Sequence, residues 1–221
     1  MSAKVERTSG FSRADAKRKT RRSIIEAALK LSAKNGFSSL SLREVARQAG
    51  IAPNGFYSHF QDLEELRLTI IDEAGMTLRN VMRQVLKRKD NDKSIVRVSV
   101  ETFLEYLESN GDMFRMLIAT RSGGSKAGRR AVYKDINRFF SDLIEYIELD
   151  SREKGRYMDK VPEVAHAVTN IVFNGSLELL DLPGTDRQAL AERLIQEVRL
   201  VTLGAEALAA GWKPEAIRER V

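Results

Sequence analysis

Apolar residues recur at helical spacing along almost the whole chain, and that periodicity limits the fold more than any other feature. Between residues 22 and 35, Ile24, Ala28 and Leu31, with Ile25 and Leu29, share one face, and Asn35-Gly36 supplies a stop. Ser41 and Glu44 form a capping box at the start of a short helix carrying Leu42, Val45, Ala46 and Ala49, which Gly50 closes. Pro53 suits the first turn of another helix, in which Phe56 and Phe60 share a face. Asp62 starts a longer helix running through Leu66, Ile70 and Met76 towards Arg88, and residues 89–93 read as a polar turn. Val96, Val98 and Val100 alternate like a strand, but Val96, Val100, Phe103, Leu104 and Leu107 continue a helical face, and the longer pattern is preferred. Further helices are expected at 112–120, 127–150, 162–182 and 186–210, separated by Gly- and Ser-rich breaks. The expectation is an all-α chain of about nine helices without a sheet.

Composition excludes several classes of function. There is no Cys, so disulfides, thiolate metal sites and cysteine nucleophiles are ruled out, and His59 and His166 are the only imidazoles. No paired carboxylates or Ser/His/Asp spacing suggest an enzyme, and no cofactor or metal is expected. No apolar run has the length of a membrane span and the N-terminus lacks a signal-peptide core, so a cytoplasmic protein that crosses no membrane is expected. The net charge of +6 is unevenly placed: the first 61 residues hold twelve Lys/Arg against four acids, while the remainder is slightly acidic. A basic head on a near-neutral body suggests a polyanion partner, with a solvated tail or an anionic lipid surface as alternatives.

The most specific segment is 41–60, where two short helices around Ala49-Gly50-Ile51-Ala52 make a helix-turn-helix. Its second helix would present Pro53, Asn54, Gly55, Ser58 and His59 to a major groove. Ser41 with its helix start, Arg43 and the Tyr57 hydroxyl would meet phosphates, and Arg13, Lys17, Arg18, Lys19, Arg21 and Arg22 form a basic arm. The expected organisation is an arm at 1–20, the helix-turn-helix domain at 21–65, and a ligand-binding and dimerisation domain at 66–221.

Leu42-Arg-Glu-Val-Ala-Arg-Gln-Ala-Gly-Ile51 followed by Phe56-Tyr-Ser-His-Phe60 resembles the DNA-binding domain of TetR-family regulators. Two departures stand out: Ala52-Pro53 replaces the family's frequent Ser or Thr cap, and Asn54-Gly55 its frequent Gly-Thr, which affects the DNA sequence read. Residues 66–84, Phe114-Arg-Met-Leu117, Arg121-Ser-Gly123 and Ile171-Val-Phe-Asn174 are similar to the family's fatty-acid branch, the repressors of unsaturated fatty acid biosynthesis of the FabR and DesT types. The resemblance implies a dimeric repressor on a palindromic operator whose body binds long-chain acyl-CoA or acyl-ACP. It further implies that unsaturated thioesters favour DNA binding and saturated ones relieve it.

For the ligand, the residues suggest an apolar channel from Phe103, Leu107, Phe114, Leu117, Ile136, Phe139 and Phe173, with Arg115, Arg121, Arg129 and Arg130 for phosphates. Ordinary core packing is the commoner reading of any single apolar residue here, surface charge explains the arginines equally well, and a regulator of efflux or catabolism with another hydrophobic ligand is the alternative. His166 is expected to be a packed core residue. The last two helices offer two apolar faces, Ala165, Val168, Ile171, Val172, Gly175 and Leu179, and Leu190, Leu194, Val198, Val201, Ala205 and Leu208. They are expected to form a two-fold interface.

Overall fold

The computed structural model describes residues 12–87, 94–155, 158–182 and 184–212. Among them are ten α-helices and no strand: α1 (Arg13–Asn35), α2 (Leu42–Gln48), α3 (Pro53–Phe56), α4 (Leu63–Lys87), α5 (Ile95–Ser109), α6 (Gly111–Gly123), α7 (Lys126–Glu153), α8 (Val161–Ser176), α9 (Glu178–Asp181) and α10 (Arg187–Ala209). A 3-10 turn, Phe37–Ser39, joins α1 to α2. Arg88 and the turn at 89–93 lie outside the described residues, as do residues 1–11 of the arm.

The capping chemistry explains most boundaries. Ser12 and Asp15 close a capping box at the start of α1, and Gly36, at φ 75°, ends the helix by donating its N–H to the Ser32 carbonyl. Asp62 accepts the Glu65 amide at 2.7 Å ahead of α4, Ser125 accepts the Gly128 amide ahead of α7, and Asp186 accepts the amides of Gln188 and Ala189 ahead of α10. The valines of 95–100 are helical. Val100, Phe103, Leu104 and Leu107 bury one continuous face of α5, which outweighs the short strand-like alternation.

Two expectations are corrected. Residues 13–20 are the first turns of α1 rather than a separate arm; their polar composition hides the helical period, although Ser12 and Asp15 mark the start. The segment 162–182 is two helices, because at Leu177 the backbone bonding tightens onto the carbonyls of Asn174 and Gly175.

The core is continuous from head to body. Ile24, Ala28, Phe37, Val45, Phe56 and Phe60 of the head join Leu66, Ile70, Ala74 and Met82 along α4, then Phe103, Phe114, Met116 and Val132. Helix α4 therefore belongs to both regions, and a boundary at 65/66 cuts through it. In the body α4 packs along α7, α10 packs on α8 and α5, and α6 packs against both α1 and α7. A second cluster, Val100 and Leu104 with Leu190, Ala191, Leu194 and Ile195, joins α5 to α10.

Candidate nucleic-acid interface and ligand cavity

Helices α2 and α3 meet through a turn in which Gly50 has φ 71° and the Ile51 amide reaches the Ala46 carbonyl at 3.0 Å. Phe56 and Phe60, both buried, meet at 5.7 Å with their rings tilted and anchor α3 from below. The opposite side is open: Arg43, Pro53, Asn54 and Ser58 are exposed, and Tyr57 is 62% exposed. A Cβ at Gly55 would meet only Ile51, at 3.8 Å, so the backbone there is accessible to a close partner. Arg22 is exposed and paired with Glu26 at 3.0 Å.

Three predicted contact residues are also engaged or partly covered within the head. Arg21 donates to the His59 carbonyl at 3.0 Å and lies 4.2 Å above the Phe60 ring, so it braces the head from within. His59 is half-buried, with its Nδ1 unpaired. Burial, followed by the charges of Lys17 and Arg21, holds its pKa below the usual imidazole value. Ser41 is engaged with Glu44: its hydroxyl lies 2.8 Å from the carboxylate, whose pKa is lowered by that bond, by the Ser41 amide and by Arg47. The start of α2 therefore already carries an acid. Arg47, exposed in the last turn of α2, is a further cation that the motif reading did not single out. The proximity of Lys17 to His59 brings the basic first turns of α1 beside the end of α3.

The body holds a partly open cavity of about 1140 Å³ between α4, α5, α6, α7, α8 and α10. Phe103, Phe114, Leu117, Arg121, Ile136, Phe139 and Phe173 all line it, as the sequence suggested. Leu107 and Arg115 do not. Leu107 is fully buried in the core, and Arg115 is exposed, donating to the Leu180 carbonyl at 2.6 Å. The four arginines do not converge, since Arg129 bonds the Gly124 carbonyl and Arg130 is exposed on α7. Sequence reasoning missed the α4 wall, Ile71, Leu78, Arg79 and Met82, whose helical period looks identical to core packing. Phe103 and Phe114 meet edge-on at 5.9 Å, and Phe114 and Phe173 lie 6.4 Å apart.

Across the cavity wall Asp135 pairs with Arg79, at side-chain exposures of 17% and 11%, and Arg83 pairs with Asp142 at 2.6 Å. Near the head, Ser125 donates to the Glu64 carboxylate and Glu64 pairs with Arg67 at 3.1 Å. The Arg67 guanidinium in turn lies 4.5 Å above the Phe37 ring. This chain of contacts joins the α6–α7 turn to the turn ahead of α2.

His166 is exposed rather than core, stacked on Phe140 at 5.0 Å. The expected interface faces are corrected as well. Ala165, Leu190, Leu194, Val198 and Ala205 are buried within the chain, and a Cβ at Gly175 would overlap Leu194. Among the described residues near the C-terminal end, the large apolar side chains left exposed are Leu200, Leu203, Leu208 and Trp212. Among the described residues no helix is long and apolar enough to cross a membrane.

Residues 24–77 match the model of the bacterial regulatory proteins of the tetR family. The whole fold is similar to solved structures of low identity. A candidate TetR-family transcriptional regulator of Syntrophomonas wolfei superposes with a TM-score of 0.72 at 16% identity, covering 84% of this chain and 96% of that one. A candidate fatty acid metabolism regulator of Clostridium perfringens gives 0.69 at 17%, covering 80% and 96%. The fatty acid degradation regulator FadR of Bacillus halodurans gives 0.67 at 16%, covering 81% and 94%. At these identities the likeness concerns the fold alone. The match over 24–77 falls on the helix-turn-helix and its exposed α3 face, so this part of the chain is similar to the DNA-binding region of the tetR-family regulatory proteins.

Proposed function

We propose that the protein is a dimeric repressor of a palindromic operator whose affinity is set by a long-chain acyl ligand, carried as a CoA or acyl carrier protein thioester. One observation carries this reading. Met113, Phe114, Leu117 and Arg121 of α6 line the cavity, while the same helix packs against α1 of the head. A ligand that repositions α6 therefore acts on the element that positions α2 and α3.

The cavity exceeds the roughly 300–1,000 Å³ of common small-molecule sites and is mostly apolar, as an extended acyl chain requires. Each buried methylene contributes about 0.8 kcal/mol. Two of the similar structures carry names in fatty acid metabolism or degradation, which supports the same ligand class. Leu200, Leu203, Leu208 and Trp212 offer the outward apolar surface through which α10 and α8 would meet a second copy, and that pairing would set the spacing of the two recognition helices. The regulated genes on this reading are those of unsaturated fatty acid synthesis or desaturation.

Saturated and cis-unsaturated chains differ in shape and would favour different head spacings. A coupling of about 1–3 kcal/mol would change operator affinity roughly 5- to 150-fold. Fluorescence anisotropy on DNA from the gene's own upstream region and from desaturase promoters, at fixed salt, tests this directly. Opposite shifts with saturated and unsaturated acyl-CoA support the proposal. Tight DNA binding indifferent to both removes the acyl ligand and leaves a regulator that senses another hydrophobic molecule.

A further inference from the structure

We propose that the ligand lies in the cavity in one direction, with its acyl carbonyl end at Arg121 and its methyl end towards Ile95, Ile147 and Met158. This rests on the acyl-ligand reading above and adds to it a polarity and a residue that recognises the headgroup.

Most of the charges along the cavity wall are balanced. Arg79, Arg83 and Lys154 each have a carboxylate partner, in Asp135, Asp142 and Asp150 respectively. Arg199 sits near Glu192, whose carboxyl is held below its usual range first by the Arg97 guanidinium and then by the charge of Arg199. Arg121 differs. Among the described residues no carboxylate pairs with it, and its partner is the face of Phe173, 5.5 Å from the guanidinium carbon. A half-buried guanidinium set against apolar surface without an anion is poorly compensated. An oxygen of the ligand would satisfy it, and a carboxylate could accept two parallel N–H bonds.

The direction follows from the contacts that order α4 and α7. Glu64 meets Ser125, Arg79 meets Asp135, and Arg83 meets Asp142, so both helices leave the head side by side. Arg121, in the last turn of α6, lies beside the Glu64–Ser125 end. Leu86, Ile95, Ile147 and Met158 line the remote end. A chain anchored at Arg121 would pass the Phe114 and Phe173 rings first and then run outward between α4 and α7. Fixing one end gives the site a ruler: a cis bond at a given carbon would always meet the same wall residues. A chain free to slide could not be read that way.

The shared chemistry is an acyl carbonyl, which a free acid presents as a carboxylate and a carrier presents as a thioester. The test uses full-length wild type, Arg121→Met and Arg199→Met, with hexadecanoic acid, hexadecanoyl-CoA and hexadecan-1-ol as probes in calorimetric titrations. Circular dichroism melts establish that each variant is folded, and Arg121→Lys, which keeps the charge without the planar fork, is the second variant. The expected result is at least a tenfold weaker acid in Arg121→Met, a smaller loss for the thioester, an intermediate acid affinity in Arg121→Lys, and an unchanged alcohol. Arg199→Met should weaken the acid less than Arg121→Met does. Equal acid affinity in wild type and Arg121→Met overturns the inference while leaving the acyl ligand in place. Loss in Arg199→Met instead reverses the direction, and loss of the thioester alone moves the carrier's phosphates, rather than the carbonyl, to Arg121. If wild type binds none of the probes, the ligand reading falls and this one with it.

Discussion

Replacing Gly75 by Ala sets two effects of opposite sign against each other. Gly75 lies inside α4, where Ala is the better helix former by about 0.8–1.0 kcal/mol, so propensity alone predicts a more stable protein. The structure predicts the reverse, because a Cβ on Gly75 would overlap the carboxylate of Asp135. Asp135 must then leave the α4 surface and its partner Arg79, in a pair only 17% and 11% exposed. Separating a buried pair costs about 3–5 kcal/mol. Arg138, 3.8 Å from the same carboxylate, can follow Asp135 outward and recover part of that loss. The net expectation is a destabilisation of about 2–3 kcal/mol. Urea denaturation at fixed protein concentration measures it, and Gly75→Ala combined with Asp135→Ala should cost less than the two single changes added together. A stabilisation near 1 kcal/mol in Gly75→Ala would show that Asp135 does not seat against α4, and the reasoning about the cavity wall would fail with it.

Arg43→Ala and Tyr57→Ala should each weaken operator binding while leaving the melting temperature nearly unchanged, because both side chains are exposed. For Arg43 the slope of log affinity against log salt should fall by about one counterion. Leu200→Glu, at a residue 72% exposed, should leave the protomer folded and shift it to monomer in light scattering; a dimer that persists would place the interface elsewhere. Ser125→Ala removes the donor to Glu64 and should reduce the ligand's effect on operator affinity more than it reduces ligand binding, as anisotropy with and without ligand would show. His59 has a lowered pKa in the folded head, so the unfolded chain binds its proton first. The His59 contribution to stability is therefore present above about pH 6.5 and lost as pH falls through the folded value. Denaturation curves across that window should flatten in His59→Gln, and an unchanged pH dependence would sink the assignment.

The α2–α3 unit was legible in the sequence because each of its signals is local: the Ser41–Glu44 capping box, Gly50 at positive φ, and Phe56 and Phe60 one turn apart. The all-helical architecture was legible for a similar reason, since periodicity over ten or more residues survives one ambiguous stretch such as 95–100. The missed α1 start shows the limit of that signal. Residues 13–20 are helical without an apolar face, so only the short capping pattern at Ser12 marked them.

Position in space decided the rest. Arg21 and Arg22 are neighbours in the chain with the same chemistry, yet one is folded against Phe60 and His59 while the other faces solvent. Leu107 and Phe103 lie one turn apart on α5, but only Phe103 borders the cavity. The apolar faces of α8 and α10 were read correctly as apolar, but α5 covers much of them, leaving Leu200, Leu203, Leu208 and Trp212 exposed. Helical period, capping and charge are properties of neighbouring residues and so are written in the sequence itself. Which apolar face packs inside, which arginine meets a carboxylate, and where two helices stand far enough apart to leave a cavity are settled by residues distant in the chain, and only the tertiary structure brings those together.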